Sequence, residues 1–376
     1  MARTETYLDW NATAPLRPEA AAAMAAALSR YGNPSSVHRW GRAARQTVEH
    51  DRSTVAALLD APPEGVVFVS GGTEANHLAL LGTGRERILI SAIEHDSVRS
   101  ASPEAEQIPV DRDGIIVLDA LDDLLADDPR PALVSIMLAN NETGVMQPVR
   151  AIAALAHARS ALFHCDAVQA AGKIALDFDA IGADLVTLSA HKLGGPPGVG
   201  ALITRNGLEL APLLRGGGQE GGRRAGTENV AGIAGFAAAA EAAAAEIAVY
   251  DRVRELRDAL EAGVAAVAAE AVVLGAAVPR LPNTTAIAMP GVAAETQVIA
   301  LDLDGVMVSA GAACSSGKVG PSHVLEAMGV GPELASSTIR VSLGWSSTGA
   351  DIDHFLRAWT ALYRRCRGLA LEARAA

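Results

Sequence analysis

The stretch Leu188-Ser-Ala-His-Lys-Leu-Gly-Gly-Pro-Pro-Gly-Val-Gly200 decides how this chain is read. An apolar, strand-like run from Ala183 to Leu188 delivers Ser189, His191 and Lys192 into a turn rich in Gly and Pro, and a second apolar run, Gly200 to Thr204, leaves it. Of the 31 basic residues only Lys173, Lys192 and Lys318 are lysines. Arginine does nearly all the surface work, so a lysine at a strand end beside bare backbone points to chemistry that arginine cannot do. Only an amine gives up its proton and forms a Schiff base.

Outward from this turn, short apolar runs alternate with helix-like segments between about Glu64 and Thr204. The strand candidates are Val66–Ser70, Arg87–Ser91, Leu133–Leu138, Leu162–Cys165, Leu185–Leu188 and Gly200–Thr204, with helical composition at Thr73–Leu81 and Val149–Arg159. This alternation predicts an α/β fold with a mostly parallel, doubly wound sheet that binds ligands at the carboxyl ends of its strands. After Gly216 the texture changes. A glycine-rich loop leads into a long Ala/Glu/Arg helix, roughly Val230 to Ala268 and broken once, followed by strand candidates Thr285–Met289, Val306–Ser309 and Ile339–Ser342. Helices Glu295–Leu301 and Pro321–Met328 lie between these strands, and a last helix starts at Asp351. That pattern predicts a second, smaller α+β domain, and the 376-residue length suits two domains.

Composition narrows the function. The formal net charge is -12 and no Lys/Arg-rich run is present, which argues against a nucleic-acid partner. The start, "MARTETYLDWNATAPL", lacks an export signal, and the tract Ala231–Ala248, interrupted by Glu241 and Glu246, is too weakly apolar for a bilayer span. Cys165, Cys314 and Cys366 stand at wide spacings that suggest neither a disulfide framework nor a metal site. A reducing cytoplasm is the expected setting, without a membrane.

The candidate chemical residues all fall at predicted strand ends. In Val66-Val-Phe-Val-Ser-Gly-Gly-Thr-Glu-Ala-Asn-His77 a strand ends in Ser-Gly-Gly and a helix opens at Thr73, so free N–H groups converge with hydroxyls around Gly72 and Thr73. A phosphate suits that spot, and so does a capped turn without a ligand. Asp166, in Phe163-His-Cys-Asp-Ala-Val-Gln169, either caps a helix or holds a proton on a heteroaromatic nitrogen, as an Asp does against the pyridinium of pyridoxal phosphate. Cys165 beside it reads as a small buried hydrophobe. His95, in Ser91-Ala-Ile-Glu-His-Asp96, is a structural histidine or a ring that stacks on a flat cofactor and exchanges protons. Together with Lys192 these groups specify pyridoxal phosphate. Cys314, in Val308-Ser-Ala-Gly-Ala-Ala-Cys-Ser-Ser-Gly-Lys-Val-Gly320, stands among residues too small to pack a core, which suggests an exposed, functional thiol. Arg340, in Thr338-Ile-Arg-Val-Ser-Leu-Gly344, is a solvated edge residue or a clamp for an amino acid's carboxylate.

In this order the motifs resemble the cysteine desulfurases of the NifS/IscS type, in the class V group of fold-type I pyridoxal-phosphate enzymes. The resemblance runs from "YLDWNATAPL" through "YGNPSSVHRWG", "VSGGTEANHLAL", "IEHDSV", "NNETGVMQP", "HCDAVQAAGK", "LSAHKLGGPPGVG", "GGGQEGGRRAGTENV" and "VSAGAACSSG" to "PSHVLEAMGV" and "IRVSLG". It implies a seven-stranded large domain at 16–248 and a small domain, carrying the cysteine loop, at 1–15 and 249–376. It implies that Lys192 carries the cofactor as a Schiff base, that His95 stacks on its ring and moves protons, and that Asp166 pairs with the ring nitrogen. Gln169 and Asn141 would contact the ring oxygen region, while Gly72, Thr73, Ser189 and His191 would hold the phosphate. Thr227 would reach the phosphate of a second subunit in a homodimer. Arg340, Asn33 and Asn141 would bind the substrate L-cysteine, and Cys314 would take its sulfur as a persulfide for an acceptor protein of iron-sulfur or other thio-cofactor assembly. No resident metal is implied.

This chain has Ala313-Cys-Ser-Ser-Gly317 where the family commonly has Ala-Cys-Thr-Ser, and "SGGTEAN" for "SGATESN", which leaves the acceptor unassigned. A class V aminotransferase or selenocysteine lyase without persulfide transfer is the nearest alternative. A dinucleotide-dependent oxidoreductase is disfavoured by the missing GxGxxG.

Overall fold

The computed structural model describes residues 5–311 and 322–375, so Cys314 and Lys318 lie outside the described residues. The strands, in chain order, are β1 (Thr6–Tyr7), β2 (Val66–Val69), β3 (Arg87–Ser91), β4 (Glu106–Ile108), β5 (Ala132–Met137), β6 (Leu162–Asp166), β7 (Leu185–Ser189) and β8 (Gly200–Thr204), then β9 (Val272–Leu274), β10 (Thr284–Ala288), β11 (Val306–Met307), β12 (Ser309–Ala310) and β13 (Thr338–Ser342). A seven-stranded sheet has the order β2-β8-β7-β6-β5-β3-β4. Its pairs from β7 to β4 are parallel, and β8 runs antiparallel to both β7 and β2.

Why these runs became strands is visible in their burial. Every residue of β2, β5, β7 and β8 is buried, as expected for strands covered on both faces by helices. Successive side chains alternate between two apolar clusters. Val66, Phe68, Val134, Val186, Ala201 and Ile203 join one cluster, and Val67, Val69, Leu133, Leu185 and Leu202 join the other. The second cluster is closed by the helix Gly72–Gly82 through Ala75, Leu78 and Ala79. The first is closed partly by the helices Arg39–Ala57 and Val230–Ala245, through Val48, Val55, Ile233 and Phe236.

A four-stranded antiparallel sheet, β12-β13-β10-β9, and the parallel pair β1-β11 complete the fold. Their apolar cluster draws on Leu8, Ile287, Ile339, Val341, Phe355 and Trp359, the last two from the long helix Gly349–Ala375. The expected broken helix is two helices, Val230–Ala245 and Val249–Val267, bent by 75°. The expected single strand Val306–Ser309 is divided: β11 pairs with β1, whereas β12 pairs with β13, so one extended run serves two sheets. Among the described residues no single helix is long and apolar enough to cross a membrane.

Candidate active site

The turn after β7 builds the centre of the site. Ser189 ends the strand, and Ala190–Lys192 form one 3-10 turn. Gly194 then adopts φ +92°, where a side chain would be strained and a Cβ would strike Arg17 and Trp345 at 2.6 Å. Gly200 begins β8 so close to the Ser-Gly-Gly turn that a Cβ would lie 2.8 Å from the Gly71 backbone. The bare backbone beside Lys192 thus lets three chain segments meet. Lys192 Nζ donates to the carbonyls of Asn11 at 2.6 Å and Ala12 at 2.8 Å.

Around it lies a cavity of about 210 Å³. The structure brings nine of the expected residues to its wall: Gly72, Thr73, His95, Asn141, Asp166, Gln169, Ser189, His191 and Lys192. The helix Gly72–Gly82 starts here, and its N-cap Gly71 offers no side-chain acceptor to the first N–H groups. Asp166, at the end of β6, accepts from Asn76 Nδ2 at 2.8 Å through one oxygen and from the Val168 N–H at 2.9 Å through the other. Asn76 Nδ2 also donates to Ser97 Oγ at 2.9 Å, and Ser97 Oγ lies 2.8 Å from His95 Nδ1. Because the Ser97 backbone N–H donates to His95 Nδ1 at 3.1 Å, a neutral ring keeps its proton on Nε2. Burial first, then Lys192 and Lys173, push His191 down to about 4, so its imidazole is neutral.

Three expected residues stand elsewhere. Asn33 and Thr227 are exposed, and neither lines the cavity. Arg340, buried on β13, sits behind the wall rather than on it. One of its nitrogens donates to Asp9 Oδ1 at 2.7 Å and another to the Asn141 carbonyl at 3.2 Å, while Nε has no partner among the described residues. The residues flanking segment 312–321 both meet Glu142. Ser322 Oγ donates to Glu142 Oε2 at 2.6 Å, and a Cβ on Gly311 would lie 2.6 Å from the same oxygen. Burial pushes the Glu142 carboxyl up to about 7, against the lowering pull of Ser322 and Arg340. Cys165 is buried, and desolvation raises its thiol well above the usual range, which fits the expected inert hydrophobe.

Sequence reading missed Asn76, Asn11 and Lys173. Asn76 follows Thr73 by one helical turn, which places both toward one side, and that spacing was the available signal. Asn11 joins the two sheets: its Nδ2 donates to the Asn141 carbonyl at 3.1 Å and to Thr284 Oγ1 at 2.9 Å, and its carbonyl accepts from Gln169 Nε2 at 3.0 Å. Among the described residues no group of three or more His, Cys, Asp or Glu is placed to hold a metal ion.

The pattern of the family described as Aminotransferase class-V matches residues 6–355. A cysteine desulfurase of Cereibacter sphaeroides is 44% identical over 378 residues, covering 96% of this chain and 97% of that relative. A cysteine desulfurase IscS of Dictyoglomus turgidum is 39% identical over 380 residues, covering 97% of this chain and 96% of its own. The X-ray structure of a NifS-like protein from Rickettsia africae matches with a TM-score of 0.90 at 36% identity, covering 96% of this chain and 100% of that one.

Proposed function

We propose, from the premise that the chain belongs to the class V aminotransferase family, that it is a cysteine desulfurase, converting L-cysteine to L-alanine and leaving the sulfur on Cys314. The observation that carries this reading is the convergence of the Lys192 amine, the Asp166 carboxylate, the His95 ring and an uncapped helix N-terminus on one cavity.

The residues fit pyridoxal phosphate. Each Asp166 oxygen accepts a single hydrogen bond, which leaves lone pairs for a ring N–H. The open N–H groups at Gly72 and Thr73, with Ser189 and neutral His191, suit a phosphate. Asn141 and Gln169 are placed to meet the ring oxygen region. When bound, the cofactor supplies an electron sink for a carbanion at the substrate Cα.

The protein's own groups do the rest. Lys192 removes the proton from Cα and returns it, while the carbonyls of Asn11 and Ala12 offer its amine a resting place. His95 stacks over the cavity and presents its Nε2 proton to the substrate. Arg340 and Asn33, with Asn141, hold the substrate carboxylate. The Cys314 thiolate attacks the substrate sulfur; the S–S bond forms as the Cβ–S bond breaks, and a proton delivered to Cβ completes alanine. The persulfide then passes to an acceptor protein of iron-sulfur or other thio-cofactor assembly, in a reducing cytoplasm.

The active form is a homodimer in which Thr227 serves the partner's cavity. Its exposure outside its own cavity supports this, as does the apolar surface around Leu28, Tyr31 and Val37, exposed by 73%, 73% and 86%. We place the large domain at 16–248 and the small one at 1–15 and 249–376, a boundary supported by the 75° bend between the helices Val230–Ala245 and Val249–Val267.

The test is release of sulfide and alanine from L-cysteine, with reductant and pyridoxal phosphate, by the native protein and by Cys314→Ala. Stoichiometric products from the native protein and background turnover from the variant are expected. Equal turnover in both would make the protein an aminotransferase or simple lyase in which Cys314 is a bystander.

A further inference from the structure

Two lysines meet at Asn11. Lys192 Nζ donates to its backbone carbonyl at 2.6 Å, while Lys173 Nζ donates to its side-chain oxygen at 3.1 Å and to Gln169 Oε1 at 2.9 Å. Lys173 is only 3% exposed, and nothing in the proposed reaction uses it. A buried lysine is costly unless paired, yet among the described residues its acceptors are two amide oxygens rather than a carboxylate.

As the donor to both amides, Lys173 dictates which way each one faces. Their oxygens turn toward it and their NH2 groups turn away. Gln169 Nε2 is thereby aimed at the Asn11 carbonyl, 3.0 Å away, and Asn11 Nδ2 at the Asn141 carbonyl and Thr284 Oγ1. Asn283 Nδ2 supplies a second donor to Asn11 Oδ1 at 3.0 Å. Asn11 is held from all these directions, and its carbonyl is one of the two that receive the Lys192 amine.

We propose that Lys173 is a positioning residue for the catalytic amine: by fixing the polarity of the Gln169 and Asn11 amides, it holds the Asn11 carbonyl against Lys192 and so sets how firmly Lys192 keeps its proton. A carbonyl that accepts from an ammonium favours the charged form. Burial, and after it Lys192 and Arg340, push Lys173 well below the usual lysine range. Among the described residues, His191, Asp166 and His95 are titratable groups that line the same cavity as Lys192.

The inference rests on the reading of Lys192 as the amine that carries the cofactor, and its test needs neither cysteine turnover nor Cys314. The full-length protein, stripped of pyridoxal phosphate, is reductively methylated with formaldehyde across a pH series, and modification of Lys192 is read by mass spectrometry. In Lys173→Met the midpoint for Lys192 is expected to fall by about half a pH unit or more, because the carbonyl that favours its charged form is loosened. A merely structural Lys173 would lower the melting temperature and leave that midpoint in place. An unmoved midpoint overturns the proposal, and so does a raised one, which would mean that Lys173 acts as a repelling cation. Should Lys173→Met not fold, Gln169→Met removes the next link in the same chain and is expected to move the midpoint in the same direction. Failure of this test leaves the desulfurase reading standing, and loss of that reading leaves the titration interpretable.

Discussion

The two sheets approach the site in opposite ways. The seven-stranded sheet turns its polar groups into the cavity: Asp166 and Ser189 stand at strand ends, and Lys192 follows within one turn. Arg340, from β13 of the four-stranded sheet, turns inward on the protein: it is paired with Asp9 and also meets the loop after β5, where Glu142 is closed off by Ser322. One side is preformed for a ligand. On the proposed reading the other exchanges a protein partner for the substrate, so changes on the two sides should fail differently.

The largest effect is expected on the preformed side. Lys192→Ala removes the group proposed to move the Cα proton and should lower sulfide release by roughly 10²–10⁴-fold, with little change in melting temperature of the cofactor-free protein. Sulfide assays with added pyridoxal phosphate and a thermal melt check both halves. A loss smaller than that caused by Arg340→Ala would invert the comparison.

Arg340 tests the other side. Arg340→Ala is expected to raise KM for L-cysteine by roughly 10²-fold with kcat much less affected, because the two charge-assisted hydrogen bonds proposed to hold the substrate carboxylate are lost. Arg340→Lys should not restore KM, since an ammonium cannot reproduce the planar fork. Asp9→Asn removes the competing carboxylate and should lower KM. A rise would mean that Asp9 orients the guanidinium instead of competing for it, and the two sheets would then be alike in being preformed. Steady-state kinetics on the three variants decide between these outcomes.

Legibility in the sequence follows the same division. The strands β2, β6, β7 and β8 were readable because each is a short apolar run bounded by turn residues, and a doubly wound sheet puts its ligand groups just after such runs. Nine of the expected residues line one cavity, some of them read from strand ends and others, Asn141 and Gln169 among them, only from the family resemblance. The groups that hold them were not readable. Asn11, Asn76 and Lys173 act by which atom faces which, and nothing in the chain distinguishes a hub asparagine from a surface one until Asn141, Gln169 and Thr284 are brought around it from distant segments. The three-residue strands β4 and β9 are too short to show a period, and the run Val306–Ser309 gives no sign that its two halves pair with different sheets.

The smallest effect concerns Glu142, where the inward-turned side should reveal itself through stability rather than catalysis. Its carboxyl stands at about 7 in the folded chain against an ordinary 4.5, with burial as the cause. The folded state therefore binds more protons than the unfolded state between those values. The stabilisation this gives is complete at low pH and is lost as pH rises through about 7. For the cofactor-free protein the contribution of this group should fall by about 2 kcal/mol between about pH 5.5 and about pH 8. Glu142→Gln keeps an oxygen to accept from Ser322 Oγ and removes the titration. Its melting temperature should accordingly decline less than that of the native protein over the same interval, with the greater advantage at the alkaline end. Parallel declines in both proteins would show that Glu142 is solvated rather than enclosed, and the inward-turned side would lose its best-defined charge.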